Sequence, residues 1–405
     1  MERRVDGAWG WVVTGAVFVL LLLAYGNLYT FGVFFPALAA EFDANRADVA
    51  LIFSVLAALY SSLAVISGPA ADRFGTHVVC GFGMLVMGLG LAFASFAEAV
   101  WQIYLGYSFG VAVGIGCTFA PASAGLQRWM TRRRGLASGL SSTGVGISIF
   151  LMPPMVAGLI AAYDWRTTMM VLAGVSLLLG VAAALLMGDP PGTTRRPRAT
   201  RPDETRYDLR RALTSRGFLG LYLSSTCACA GIFIPFVHLV PYAADKGLGE
   251  ATGVYLVSVI GISSVAGRIV LTTASDRLGR RPSIAAIYVG MGVGFFLWFA
   301  GGSVAVLTAF AILYGACYGG YVGMIAPIIA EYFGTERIGS LLGFFMSSIT
   351  IGGFLGPWLA GHAFDLWGSY DVPMLVAGGF GLLAGAVAMS MPARPYGPGA
   401  FQTSS

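Results

Sequence analysis

Stretches of about 20 apolar residues succeed one another along almost the whole of this 405-residue chain. Each is long enough to cross the hydrocarbon of a bilayer as a helix. In lipid an open strand edge has no water to satisfy it, so a chain built this way is read as helices. Charged residues make up 11% of it, against about a quarter in soluble globular domains. The expected fold class is an all-α membrane protein with twelve transmembrane helices. They fall at roughly 9–36, 47–71, 78–97, 101–126, 135–158, 166–187, 217–243, 251–274, 282–301, 304–330, 338–361 and 371–391.

Arg268 is the one charge that falls deep inside a predicted span. A guanidinium at that depth costs about 2.5–3.5 kcal/mol on insertion scales. Arginine does not shed the cost by losing its proton. No carboxylate lies within two helical turns of it in sequence. The balancing anion is therefore read as a visitor, a small organic anion carried as substrate. The other reading makes Arg268 structural, bonded to backbone carbonyls.

The net charge is +5, and its placement argues for membrane sidedness rather than nucleic acid. With the N-terminus in the cytoplasm, 20 of the 24 Lys and Arg fall in cytoplasmic segments. Only Arg46, Arg166 and Lys246 fall outside, and Arg268 is the remainder. That asymmetry places both termini in the cytoplasm. Arg3 and Arg4 before an apolar run resemble a signal peptide, but the run from Trp9 to Phe35 is too long for a signal core and reads as the first span. Trp9 and Trp11 fit an interfacial anchor.

Several chemistries are excluded. Cys80, Cys117, Cys227, Cys229 and Cys317 all sit in apolar runs and read as small buried hydrophobes, with no metal site or cofactor expected. The chain shows no His-Glu-x-x-His and no paired intramembrane aspartates, so it is not read as an enzyme. Its glycine pairs follow no strand and carry no phosphate loop. They read as close helix contacts. A sensor built on a carrier fold is expected to bring a large soluble domain, and residues 392–405 are expected to be a short tail. No obligate protein partner is evident, and arginine's excess over lysine suggests a GC-rich bacterial source.

The chain repeats itself. Asp72-Arg73-Phe74-Gly75 and Asp276-Arg277-Leu278-Gly279 are offset by 204 residues. Trp129, Arg133, Gly139 and Pro153 match Phe333, Arg337, Gly343 and Pro357 at the same shift, as Gly116 matches Gly320. The expected organisation is a six-helix half over 1–187, a linker over 188–215, a second half over 216–391 and a tail over 392–405. The linker is rich in Arg and Pro; Asp203 to Thr214 reads equally as a short surface helix or as a solvated tether. A twofold helical repeat has a natural site between its halves near the bilayer midplane.

The Asp-Arg-x-Gly element, present between spans 2 and 3 and again between spans 8 and 9, resembles the loop signature of the major facilitator superfamily. The likeness covers essentially the whole chain. A narrower likeness is to the monocarboxylate transporters and their bacterial relatives, including oxalate:formate antiporters. It rests on Asp6-Gly7-Ala8-Trp9-Gly10-Trp11 ahead of span 1 and on the run Trp129 to Gly139 leading into span 5. The resemblance implies a substrate-binding arginine in span 8, where Arg268 falls, and an aromatic binding residue in span 10. Animal members carry an aspartate four residues before that arginine; this chain has Ser264, and the family's proton mechanism does not transfer directly. The oxalate carriers it resembles add a lysine in span 11, whereas Lys246 is in an outer loop. One deep cation suits one carboxylate.

The candidate substrate-binding set is Arg268, Tyr318, Tyr321, Tyr29, Asn27, Phe119 and Cys117. The tyrosines and Asn27 are polar tips in apolar helices. Phe119 and Cys117 precede Pro121 and would make a cavity apolar and size-selective. Plain packing is the alternative for each. His238, in a His-Leu-Val-Pro-Tyr run, is the candidate for proton coupling, against a helix-end histidine bonded to backbone. His77 and His362 are not read as functional. Asp72, Arg73, Arg133, Asp276, Arg277 and Arg337 are gating candidates, through ion pairs that lock one conformation. Arg132 to Arg134 serve equally as contacts to lipid phosphate. The function expected is alternating-access transport of a small monocarboxylate, such as lactate or pyruvate, in a bacterial inner membrane. Proton symport comes from the resemblance alone. Exchange of oxalate- or formate-like anions, or carriage of a neutral solute or drug, are the alternatives.

Overall fold

The computed structural model describes residues 5–130, 134–188, 206–207, 209–334, 338–393, 396 and 402–403. Among them twelve helices are long and apolar enough to cross a membrane. They are Ala8–Glu41 (span 1), Arg46–Ala71 (span 2), Thr76–Ser95 (span 3), Val100–Trp129 (span 4), Leu136–Ala162 (span 5) and Trp165–Leu186 (span 6). Arg216–Asp245 (span 7), Glu250–Leu278 (span 8), Arg280–Phe299 (span 9), Val304–Phe333 (span 10), Leu341–Trp367 (span 11) and Asp371–Met389 (span 12) complete them. Within spans 1 to 6 and within spans 7 to 12, consecutive spans run in opposite directions because their connections are short. In the first unit the side on which span 1 begins, and in the second the side on which span 12 ends, is termed the terminal face, and the other side of each unit the opposite face.

Polar caps mark several starts, each supplying an acceptor for an orphan N–H. Asn45 accepts from the Asp48 N–H (2.8 Å), and Ser215 from Phe218 (3.2 Å). Asp164 accepts from Thr167 (2.7 Å), a bond that holds its carboxyl below the usual carboxylate range. Gly75 and Gly279, the last residues of the two Asp-Arg-x-Gly elements, have φ of 99° and 89°. Only glycine adopts that backbone without strain, so the sharp reversals between spans 2 and 3 and between spans 8 and 9 need it.

Two spans are discontinuous at matching places. Span 1 is interrupted at Thr30, between Ala8–Tyr29 and Phe31–Glu41. Span 7 is interrupted at Phe233, between Arg216–Ile232 and Ile234–Asp245. Pro235 lacks the N–H that would continue the ladder through the second break. Span 4 is interrupted at Cys117 and Thr118 and carries a π-helical turn at Tyr104–Phe109.

Span 1 outruns its sequence boundary at residue 36 and continues to Glu41, because Pro36 lies inside its second segment rather than ending it. Of the linker, the described part is a short helix, Leu209–Leu213, and Arg206–Tyr207 paired antiparallel with Gln402–Thr403. The chain forms two compact units, residues 1–197 with 235–261, and residues 198–234 with 262–405. In the first unit the opposite-face portions of spans 7 and 8 join spans 1 to 6; the second holds the remaining parts of spans 7 and 8 with spans 9 to 12.

Candidate functional site

In the second unit, spans 8 and 10 approach until their backbones touch. A Cβ on Gly319 would overlap the Ser264 carbonyl oxygen, and one on Gly267 would overlap that of Ala316. Small residues at this crossing permit the approach, as in membrane helix pairs generally. One turn further along, a Cβ on Gly323 would lie 2.7 Å from Thr272 Oγ1 and 3.0 Å from Arg268 Cγ. The stem of Arg268 therefore lies across Gly323. Its Nε and Nη2 are shielded from solvent, while the residue as a whole is half-buried. Arg268 stands ten residues before the end of span 8 at Leu278, a depth of about 15 Å at the helical rise.

The other faces of span 10 have different partners. Tyr314, Tyr318 and Tyr321 share one side of the helix and are buried. The Tyr321 hydroxyl is 2.9 Å from Ser225 Oγ and 3.4 Å from Cys229 Sγ of span 7. Ser348 of span 11 donates to Ser225 (2.9 Å). Tyr288 of span 9 packs against the Tyr321 ring at 5.8 Å. Tyr321 is thus anchored in a closed chain of hydroxyls. Tyr318 is 4% exposed.

The first unit holds the other candidates. Asn27 is buried; its Nδ2 donates to the Leu23 carbonyl (2.8 Å) and reaches Met87 Sδ (3.6 Å). The amide thus faces span 3. Tyr29 packs on Phe236 at 4.8 Å and stacks on Tyr25 at 6.1 Å. Phe119 meets Tyr25 edge-on at 6.1 Å and is 42% exposed. Cys117 is half-buried, and a Cβ on Gly83 of span 3 would lie 2.7 Å from its own Cβ. Tyr25, which the sequence reading passed over, is the residue that joins Tyr29 to Phe119. His238 is fully buried, its ring 5.5 Å from that of Phe35.

Between mid-span and the opposite face of this unit, segments distant in sequence close on one another. A Cβ on Gly32 would overlap the Phe236 carbonyl oxygen, and one on Gly261 would lie 2.5 Å from the Phe150 nitrogen. Arg46 pairs with Asp245 at 2.6 Å. Arg166 pairs with Glu41 at 2.6 Å and donates to the Ala97 carbonyl, also at 2.6 Å. Two of the three basic residues placed on the outer side by sequence are thus ion-paired there, a role that sidedness counting does not reveal.

At the terminal face of the second unit, Arg280 is the hub. It pairs with Asp276, four residues earlier, and with Glu331 at 3.4 Å, and donates to Ser275 Oγ at 2.5 Å. Asp276 is therefore engaged within its own repeat. Arg277 is exposed, as is Arg73, whose guanidinium lies 5.3 Å from the Phe74 ring centre. The equivalent of Arg280 in the first repeat is Thr76, which accepts from Arg128. Arg133 and Arg337 lie outside the described residues, and so does the side chain of Asp72.

The profile of the Major Facilitator Superfamily matches residues 17–299 and 266–404. The chain is 31% identical to human monocarboxylate transporter 11 over 403 residues, covering 96% of this chain and 84% of that protein. The chain belongs to the major facilitator superfamily, in its monocarboxylate transporter branch. Monocarboxylate transporter 13 of Rattus norvegicus is 32% identical over 96% of this chain and 90% of its own length. A D-xylose-proton symporter shares the fold, with a TM-score of 0.77 over 95% of this chain and 98% of that one, at 15% identity. As a major facilitator protein, the chain is an integral membrane transporter of two pseudo-symmetric six-helix halves.

Proposed function

We propose that this protein carries small monocarboxylates of the lactate and pyruvate class, with Arg268 holding the carboxylate. The observation that carries the reading is the placement of Arg268: a permanent cation deep in span 8, its stem seated on Gly323 at the crossing with span 10. A guanidinium fork matches a carboxylate in two parallel bonds. The relatives named for monocarboxylate transport support the class of cargo.

The halves 1–187 and 216–391 rock around this site, exposing it to each side in turn. Both termini lie in the cytoplasm of a bacterial inner membrane, consistent with the distribution of basic residues. The terminal face is then cytoplasmic. The opposite-face contacts Gly32–Phe236, Gly261–Phe150 and Arg46–Asp245 close the outer side. Gating at the cytoplasmic side is assigned to Asp72, Arg73, Arg133, Arg277 and Arg337, with Asp276 held by Arg280 within its own repeat.

In the second unit Tyr318 and Tyr321 are assigned to the polar edge of the binding set; in the first unit Tyr29 and Phe119, joined by Tyr25, are assigned to its apolar part, with Cys117 and Asn27 as further members. Coupling is by proton symport with His238 as relay, or by exchange of one anion for another, since an anion on Arg268 already neutralises the site. Uptake of labelled pyruvate, lactate, formate and oxalate into proteoliposomes, with and without a pH gradient, tests the reading. Saturable uptake of the monocarboxylates supports it, and its absence for every acid overturns it.

A further inference from the structure

Spans 1 and 7 are interrupted, and each interruption is met by a tyrosine from another span. In the first unit Tyr107 of span 4 donates its hydroxyl proton to the carbonyl of Asn27, three residues before the break at Thr30. In the second, Tyr314 of span 10 donates to the carbonyl of Ile232 at 2.8 Å, one residue before the break at Phe233. Both tyrosines are 0% exposed. Spans 4 and 10 are counterparts in the repeat, as are spans 1 and 7, so one device occurs twice.

In an unbroken helix the carbonyl of Asn27 is taken by the N–H of Phe31, and that of Ile232 by the N–H of Phe236. Here the ladder is interrupted and the tyrosine hydroxyl donates to these oxygens; Thr30 Oγ1 also donates to the Asn27 carbonyl, at 3.4 Å. Each bond therefore favours the interrupted conformer over the regular one. A ligand or contact shifts a conformational equilibrium only through such differential interaction. The interrupted conformer is also the one in which Gly32, just beyond the first break, lies against Phe236, just beyond the second.

We infer that Tyr107 and Tyr314 are positioning residues that hold the transporter in its conformer closed at the opposite face. Neither touches cargo on this reading. They act through the two discontinuous helices and set the fraction of time that side is shut.

The test is Tyr107→Phe and Tyr314→Phe, singly and together, in a protein carrying Ser258→Cys as reporter. Ser258 lies one turn before Gly261 on span 8, is 8% exposed and is near-isosteric with cysteine. The probe is a membrane-impermeant maleimide applied to the opposite face, with labelling counted above that of the parent without the reporter. One net hydrogen bond shifts a two-state equilibrium by about 2–10-fold. Labelling should rise by about that factor for each substitution, and by about the product of the two in the double variant. Unchanged or slower labelling in every single variant that folds overturns the inference, whatever happens to thermal stability. Each substitution removes one oxygen, and the two braces are independent, so one variant that folds is enough to decide. The labelling needs no substrate: failed acid uptake would count against the proposed cargo, and unaltered labelling against the braces.

Discussion

Gly32 and Phe236 touch through bare backbone, and they are separated by 204 residues, the period of the internal repeat. The contact joins the segments just beyond the two helix interruptions at the opposite face. A Cβ on residue 32 would overlap a carbonyl oxygen, which is not a flexible group that moves aside. Gly32→Val is expected to prevent closure there. Uptake should fall at least tenfold, while binding of substrate added on that side survives, measured by tryptophan fluorescence titration. Full uptake by the valine variant would remove Gly32 from the closing contact.

Arg268→Gln keeps the Cβ–Cγ stem that lies across Gly323 and removes the charge. Acid uptake should drop to background, because a hydrogen bond to a charged group contributes about 1.5–3 kcal/mol and the fork makes two. Arg268→Lys keeps the charge but loses the fork, and the KM for pyruvate should rise roughly tenfold or more with expression unchanged. Acid uptake by the glutamine variant at the parent's rate would make Arg268 structural.

The twelve helices were legible because lipid leaves each segment a single solution, and hydrophobic length reports it directly. The repeat was legible because Gly75 and Gly279 hold a left-handed turn that no other residue takes cheaply. The helix interruptions were harder to read. Pro235 marks one, but the other falls at Thr30, where the local sequence offers no proline, and Tyr107 meets the nearby Asn27 carbonyl from a distant span. The role of Tyr321 was equally hidden: its hydroxyl is bound to Ser225 and Cys229, nearly 100 residues away. Periodicity identifies the face of a helix but not the partner that faces it.

Arg280 ties span 8 to span 10 at the terminal face, through Asp276 on one side and Glu331 on the other. Its side chain is 16% exposed, whereas Glu331 is 45% exposed, so solvent screens that pair. Glu331→Gln should cost at most about 1 kcal/mol. Arg280→Gln also strips the donors from Ser275 and Asp276 and should cost more. The double variant should fall short of the sum, because the residues share a network. Thermal unfolding followed by fluorescence-detected size exclusion measures all three; strict additivity would show that the pair is not coupled.

Ser264 offers a test of coupling that the chain itself does not contain. It is buried one helical turn before Arg268, and its carbonyl abuts Gly319. In Ser264→Asp the carboxylate would sit four residues from the guanidinium, on the same face of span 8. Ionised, it would occupy the fork and compete with the cargo; protonated, it would release it. Uptake by the variant, expressed as a ratio to the parent with no pH gradient, should therefore be low at about pH 7 and climb as the pH falls toward about 4, the ordinary range of an aspartate. The direction follows from the sign: the added group opposes binding when charged, so acid relieves it. A ratio that stays flat across that range would mean that residue 264 does not face Arg268, and that the two sides of span 8 are chemically separate at this level.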